Sequence, residues 1–444
     1  MRWQTQEIAT AVDGTVDGSD VAIEAVTQDS REIDAATGPW LFVPILAERD
    51  GHDFIEAAAA SGAVATFSSR ALPAADITVI QVADTERALS DLGRAARSRL
   101  AGATVVGITG SVGKTSTKDM LASIFAHDRP THANVRSFNN EIGVPLSLLG
   151  AADDAEAVIV EMGARGVGHI AQLCEVASPT VGIVTTVGQA HTSEFGSVEA
   201  VAEGKGELVE SLPSAGDGGV AVLNADVELV SAMARRTTAR VVTFGDAGQV
   251  RAANVSVDAQ LVPSFELITP WGRADVTLGV NGEHLIPNAL AAAAAALASD
   301  VPMTAVVDGL ATLERSPMRM ALAKTSTGAS VIDDSYNANP LSVEGALRSL
   351  GSMAANRRIA VLGVMAELGD SSAADHQRMA DLASSLNIEV IALDAAEYGP
   401  RAQHAATIDA ALAQIGPLAD GDVVLAKGSR VAGLERLAAQ LLSD

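Results

Sequence analysis

Residues 107–116, Gly-Ile-Thr-Gly-Ser-Val-Gly-Lys-Thr-Ser, carry the sharpest chemical signal in the sequence. Glycines let a backbone turn its N–H groups inward around phosphate oxygens, and a helix opening at Lys114 adds positive potential there. Lys114 would reach the outer phosphates of a nucleotide, and the Thr115 hydroxyl would ligate Mg²⁺. The candidate nucleotide-binding set is therefore Gly110, Ser111, Gly113, Lys114, Thr115 and Ser116. The pattern is the short Gly-x-x-Gly-Lys-Thr form, because Ile108 stands five residues before Gly113. A plain glycine-rich turn is disfavoured because strand, Gly-Lys-Thr and helix coincide as phosphate binding requires.

Three further residues extend this chemistry. Glu161 ends the apolar run Val158-Ile-Val, and a carboxylate at the C-terminal end of a parallel strand faces the ligand crevice. Its oxygens suit Mg²⁺ beside Thr115. His191 follows the run Val181–Thr185 in the same way. Lys205, in Glu-Gly-Lys-Gly-Glu, reads on its own as a surface lysine.

The elements that must position these groups alternate in type. Short β-branched runs at 104–109, 158–161, 181–185 and 220–224 are separated by helix-length segments, which predicts a parallel sheet covered on both faces. A helix is predicted over 114–126 and short antiparallel strands over 247–280. Strand candidates at 330–334, 358–363, 389–393 and 422–426, with a helix over 374–386, predict a second doubly wound α/β domain. The first hundred residues show strands near 41–45 and 63–67 and helices over 53–62 and 86–100. The fold class is thus α/β in three domains: a smaller N-terminal α/β domain (1–99), a central P-loop parallel-sheet domain (100–315) and a C-terminal Rossmann-like doubly wound domain (316–444). The length of 444 residues agrees, at roughly 150 residues per domain.

Composition removes other classes. The 30 Lys+Arg and 55 Asp+Glu give a net charge of −25, which argues against binding nucleic acid or an anionic membrane. The one cysteine, Cys174, excludes an intrachain disulfide, and its expected place is the core. The run 289–298 is too short and alanine-rich to span a bilayer, and the first residues lack a signal peptide's apolar core. A cytoplasmic monomer is expected.

Taken together the motifs resemble the Mur ligase family of cytoplasmic, ATP-dependent amide-forming enzymes. The resemblance runs through Thr27-Gln-Asp-Ser-Arg31, Gly51-His-Asp-Phe54, the Gly-Lys-Thr loop, 137–145, Glu161-Met-Gly163 and Gly188-Gln-Ala-His191. It continues through Lys205, Asp333 to Pro340, Ala366-Glu-Leu-Gly369 and Lys427-Gly-Ser-Arg430. The segments Tyr336 to Pro340 and Glu367 to Gly369 point to the branch that joins D-alanyl-D-alanine to UDP-N-acetylmuramoyl-tripeptide. The resemblance implies that Asp29, Ser30, Arg31, Asn139 and Asn140 hold the nucleotide-sugar substrate. It assigns Lys114, His191 and Lys205 to catalysis, and Thr115, Glu161, His191 and Lys205 to two Mg²⁺ ions, with Lys205 carried as a carbamate. Asn288, Arg319 and Asp334 would contact ATP, and Tyr336, Asn337 and Asn339 would meet the dipeptide. The sequence departs from the family pattern at Thr186, Leu285 and Ala366. A sister ligase with another amine acceptor and a non-catalytic nucleotide-binding partner are the alternatives.

Overall fold

The computed structural model describes the chain except for residues 73–76, 135–137, 189–194, 314–317, 367 and 444. The described strands build two large parallel-rich sheets, an N-terminal mixed sheet and smaller antiparallel pieces.

The central sheet is parallel throughout. Its order is Arg240–Phe244, Val220–Asn224, Val181–Val184, Thr104–Thr109, Ala157–Glu161 and Thr131–Ala133. The strand that feeds the glycine loop is therefore flanked by the strands that end at Glu161 and Val184. Their C-terminal ends open on one crevice, where ligands of open α/β sheets bind. Under this sheet the helix Lys114–Ala126 buries Met120, Leu121, Ile124 and Phe125 against the helix Ile286–Ala298. The alanine-rich run is buried all round, as expected of a core helix. Among the described residues no helix is long and apolar enough to cross a membrane.

Residues 247–280 form the expected antiparallel pieces, Arg251–Val257, Pro263–Thr269 and Gly272–Thr277. The C-terminal sheet has the order Ala321–Lys324, Ser330–Asp333, Asp422–Lys427, Arg357–Leu362, Glu389–Leu393 and Gln403–Ala405. All its pairs are parallel except the first. The N-terminal sheet likewise carries one antiparallel edge strand, Thr15–Asp17, beside four parallel ones. Neither edge strand is anticipated from the sequence, because each is short and without an apolar run long enough to mark it.

The predicted helix over 86–100 is observed as Thr85–Arg99. It docks on the central unit as well as its own: a Cβ on Gly93 would lie 2.8 Å from the Pro145 side chain, and Arg97 donates to the Ala177 carbonyl. One apolar cluster runs from Leu41, Phe67 and Ile80 through Leu89 and Leu92 to Val158 and Ile170. Cys174 lies in this core, and burial pushes its thiol up to about 12, which makes it a packing residue. The start of the C-terminal unit near residue 316 falls outside the described residues.

Candidate active site

The site begins at the turn after Thr109. Gly110 has φ +152°, and a Cβ there would fall 1.9 Å from the Thr185 hydroxyl. Gly113 opens the helix at φ +88°, and a Cβ there would fall 2.5 Å from Asn288 Oδ1. Only glycine satisfies both the left-handed backbone and this close approach. The Lys114 ammonium donates to the Gly110 carbonyl at 2.7 Å, which curls it over the loop. Neighbouring strand ends brace the turn. The Ser111 N–H donates to the Thr186 carbonyl at 2.8 Å, and Thr185 Oγ1 donates to the Val112 carbonyl at 2.6 Å. Asn224 holds the Thr185 carbonyl in turn. Because Thr186 braces the loop through its backbone, its departure from the family pattern leaves that tie intact.

Glu161 is buried, at 2% exposure, yet it meets the crevice. Thr115 Oγ1 donates to its Oε2 at 2.8 Å and Asn139 Nδ2 to its Oε1 at 2.9 Å. A hydroxyl and a carboxylate in contact form a hard-oxygen pair that fits Mg²⁺.

Lys205 departs most from expectation. The surface reading is corrected: on the helix Val198–Glu210 it is 1% exposed. Burial lowers its affinity for a proton well below that of an ordinary lysine, and the nearby Lys114 cation adds to the effect. Two residues on, Glu207 accepts from the Gly168 and Ala171 amides and fixes the adjoining helix His169–Ala177. His191 lies outside the described residues.

A cavity of about 510 Å³ lies between the central and C-terminal units. Its central wall includes Ser111 to Ser116, Asn139, Glu161 and Asn288. Its C-terminal wall includes Arg319, Asp334, Tyr336, Asn337 and Asn339. Asn339 caps the helix Pro340–Ser352 through its Oδ1, and Asn337 Oδ1 accepts from the Ala338 amide. Their side-chain oxygens thus accept from the loop, and each side chain also carries an NH₂ donor.

Two predicted groups stand apart from this cavity. Asp29, Ser30 and Arg31 form a turn after the strand Ala25–Thr27, with Arg31 paired to Asp29. Asn140 is exposed and accepts from the Gly143 amide.

Known proteins share this arrangement. The Mur ligase middle domain matches residues 108–296, and the Mur ligase glutamate ligase domain matches residues 318–430. The UDP-N-acetylmuramoyl-tripeptide–D-alanyl-D-alanine ligase of Mycobacterium tuberculosis H37Rv is 37% identical over 498 aligned positions. That alignment covers 99% of this chain and 97% of the relative. The chain belongs to the Mur ligase family. Among solved Mur ligases, a crystal structure of MurF from Acinetobacter baumannii superposes with TM-score 0.90 at 29% identity, covering 100% of this chain and 99% of that one. MurF of Thermotoga maritima in complex with ADP gives 0.78 at 27%, covering 95% and 97%.

The structure adds to this Mur ligase site a residue that sequence reasoning left out. Lys427, 2% exposed at the end of the strand Asp422–Lys427, pairs with Asp334 and donates to the Asn337 carbonyl at 3.1 Å. Its signal was present: a lysine ending a strand before Gly-Ser, inside a motif already noted. Ser429 of the same motif receives the Ala366 amide and donates to the Ala338 carbonyl. His284 joins the cavity wall from the central side and contacts the Ser349 hydroxyl at 3.3 Å. Burial lowers its imidazole pKa.

Proposed function

We propose that this chain is an ATP-dependent amide ligase that joins D-alanyl-D-alanine to UDP-N-acetylmuramoyl-tripeptide, giving the pentapeptide precursor of peptidoglycan. The activity is that of its full-length relatives. The observation that carries the reading here is the shared cavity: the phosphate loop and Glu161 on one wall, Arg319, Asp334 and the 336–339 loop on the other.

A carboxylate is a poor electrophile and needs activation. The tripeptide's terminal carboxylate attacks the γ-phosphorus of ATP, the bond to the β–γ bridging oxygen breaks, and ADP leaves an acyl phosphate. The dipeptide amine, as its free base, then adds to the acyl carbon, its nitrogen loses a proton to solvent, and phosphate departs from the tetrahedral intermediate. Gly110 to Ser116 cradle the phosphates, and Lys114 and Arg319 meet the charge that builds on the transferring group. Thr115 and Glu161 hold Mg²⁺, which supplies positive charge to the phosphate oxygens when bound. Asn288 and Asp334 hold the nucleoside, and Asn139 steadies Glu161. Asp29, Ser30, Arg31, Asn139 and Asn140 hold the nucleotide-sugar, and Tyr336, Asn337 and Asn339 form the acceptor side.

Lys205 carries a carbamate in this reading. Burial supports it, because only a neutral amine adds CO₂, and a carbamate beside Lys114 replaces repulsion by attraction. With His191 it would serve a second Mg²⁺. We assign residues 1–99, 100–315 and 316–444 to the nucleotide-sugar, ATP and dipeptide domains, in a cytoplasmic monomer. Closure of such units excludes water from the acyl phosphate.

The test is phosphate release with ATP and Mg²⁺, supplying UDP-N-acetylmuramoyl-tripeptide and D-alanyl-D-alanine singly and together. Sustained release only with both, and a product of the pentapeptide mass, is expected. Sustained release with the nucleotide-sugar and another amine, but not with this dipeptide, would move the function to a sister ligase. No release with ATP still bound would make the chain a nucleotide-binding partner.

A further inference from the structure

Arg319 sits in an unusual setting. Both its neighbours adopt left-handed backbone, Met318 at φ +61° and Met320 at φ +50°, a conformation non-glycine residues avoid. Strain of this kind persists only where the surroundings enforce it. The restraints come from the loop after the strand Ser330–Asp333. The Tyr336 N–H donates to the Met318 carbonyl at 3.2 Å, and the Met320 N–H donates to Asp334 Oδ1 at 3.2 Å. The other Asp334 oxygen is fixed by buried Lys427. Between these two ties the Arg319 guanidinium lies over the Tyr336 ring, its carbon 4.3 Å from the ring centroid.

Backbone ties aim the arginine's stem, and the ring sets its head. A guanidinium over an aromatic face at this distance is held by cation–π attraction and flat stacking. Tyr336 also lines the cavity that the phosphate loop faces. We propose that Tyr336 is a positioning residue for phosphoryl transfer: it holds Arg319 toward the phosphates and thereby acts before the dipeptide enters. This rests on the ligase reading above, and it moves the main role of Tyr336 from acceptor binding to the first chemical step. Asn337 and Asn339 remain the acceptor side.

The two roles separate in the half-reaction. With ATP, Mg²⁺ and UDP-N-acetylmuramoyl-tripeptide but no dipeptide, the acyl phosphate can be captured by hydroxylamine. The hydroxylamine nitrogen attacks the acyl carbon, phosphate leaves, and a hydroxamate is counted. Tyr336→Leu should lower hydroxamate formation about tenfold while changing the KM for D-alanyl-D-alanine less than threefold. Tyr336→Phe, which keeps the ring, should recover at least a third of the wild-type rate. In an Arg319→Ala background, Tyr336→Leu should cost less than a further twofold, because the group it positions is gone.

A Tyr336→Leu enzyme that forms hydroxamate at the wild-type rate, with only a raised dipeptide KM, would overturn the proposal. So would a further tenfold loss in the Arg319→Ala background, a comparison that holds even if the single variant is less stable. Failure of the wild-type protein to form any hydroxamate would instead sink the ligase reading, and the proposal with it.

Discussion

Replacing Lys205 by methionine tests the centre of the site without an activity assay. The lysine is 1% exposed, and its proton affinity is lowered by burial and by Lys114. In the unfolded chain it titrates near an ordinary lysine's value, about 10.4. Between its depressed folded pKa and that value, the unfolded state binds one more proton than the folded state. Stability therefore rises with pH through this window, at up to about 1.4 kcal/mol per pH unit. Methionine keeps the volume and removes the titration. In bicarbonate-free buffer, Lys205→Met should be the more stable protein at neutral pH. Wild type should close the gap as the pH rises through this window. Urea midpoints followed by tryptophan fluorescence at several pH values give both curves. Added bicarbonate should raise the wild-type midpoint near neutral pH and leave the variant unmoved. In turnover, Lys205→Ala should be severely impaired and partly restored by a short carboxylic acid. Parallel pH curves for wild type and Lys205→Met would refute the electrostatic reasoning, and full Lys205→Ala activity without added acid would remove the carbamate.

Other substitutions probe the walls of the cavity. Lys114→Ala should cut phosphate release at least a hundredfold with an unchanged circular dichroism spectrum and melting temperature within a few degrees, the loss expected when a charge contact to the transferring phosphoryl group is removed (on the order of 3 kcal/mol); near-normal ADP production would count against the assignment. Gly113→Ala forces alanine to φ +88° and its Cβ toward Asn288, so it should cost about 1–2 kcal/mol in urea unfolding and raise the KM for ATP. Lys427→Met strands the Asp334 carboxylate and should destabilise the chain by about 3–5 kcal/mol, with part of the loss recovered in the double variant with Asp334→Asn. Unfolding midpoints of the two variants that move together, with no recovery, would show that the pair is not the source of the loss.

Legibility in the sequence followed the range of the interactions involved. The strand Thr104–Thr109 and the helix Lys114–Ala126 were readable to the residue, because β-branched runs and a Gly-Lys-Thr junction are local signals. Glu161 was readable because a carboxylate ending an apolar strand has few other places to point. Lys205 was not, since its burial is made by the packing of a whole helix and by the approach of Lys114 from elsewhere in the chain. Lys427 was visible as a motif but not as a buried ion pair, because its partner Asp334 lies 93 residues away. The stack of Arg319 on Tyr336 was equally hidden: the sequence offered two ligand-binding residues, and only the fold makes one of them the support of the other.

The charge pattern argues in the same direction as the geometry. A chain of net charge −25 repels nucleotides at long range, yet the cavity gathers Lys114, Arg319 and Lys427 against Glu161 and Asp334. One cation is spent on Asp334, and one carboxylate is buried against Thr115 and Asn139, so neither is a free counter-charge. Lys114 and Arg319 line this cavity from its opposite walls. They come from separate units of the chain, and neither unit alone presents both. In the ligase reading, a site that draws its positive charge from two walls couples phosphoryl transfer to their apposition. That coupling gives an acyl phosphate its best protection, because the arrangement that forms it is also the one that excludes water.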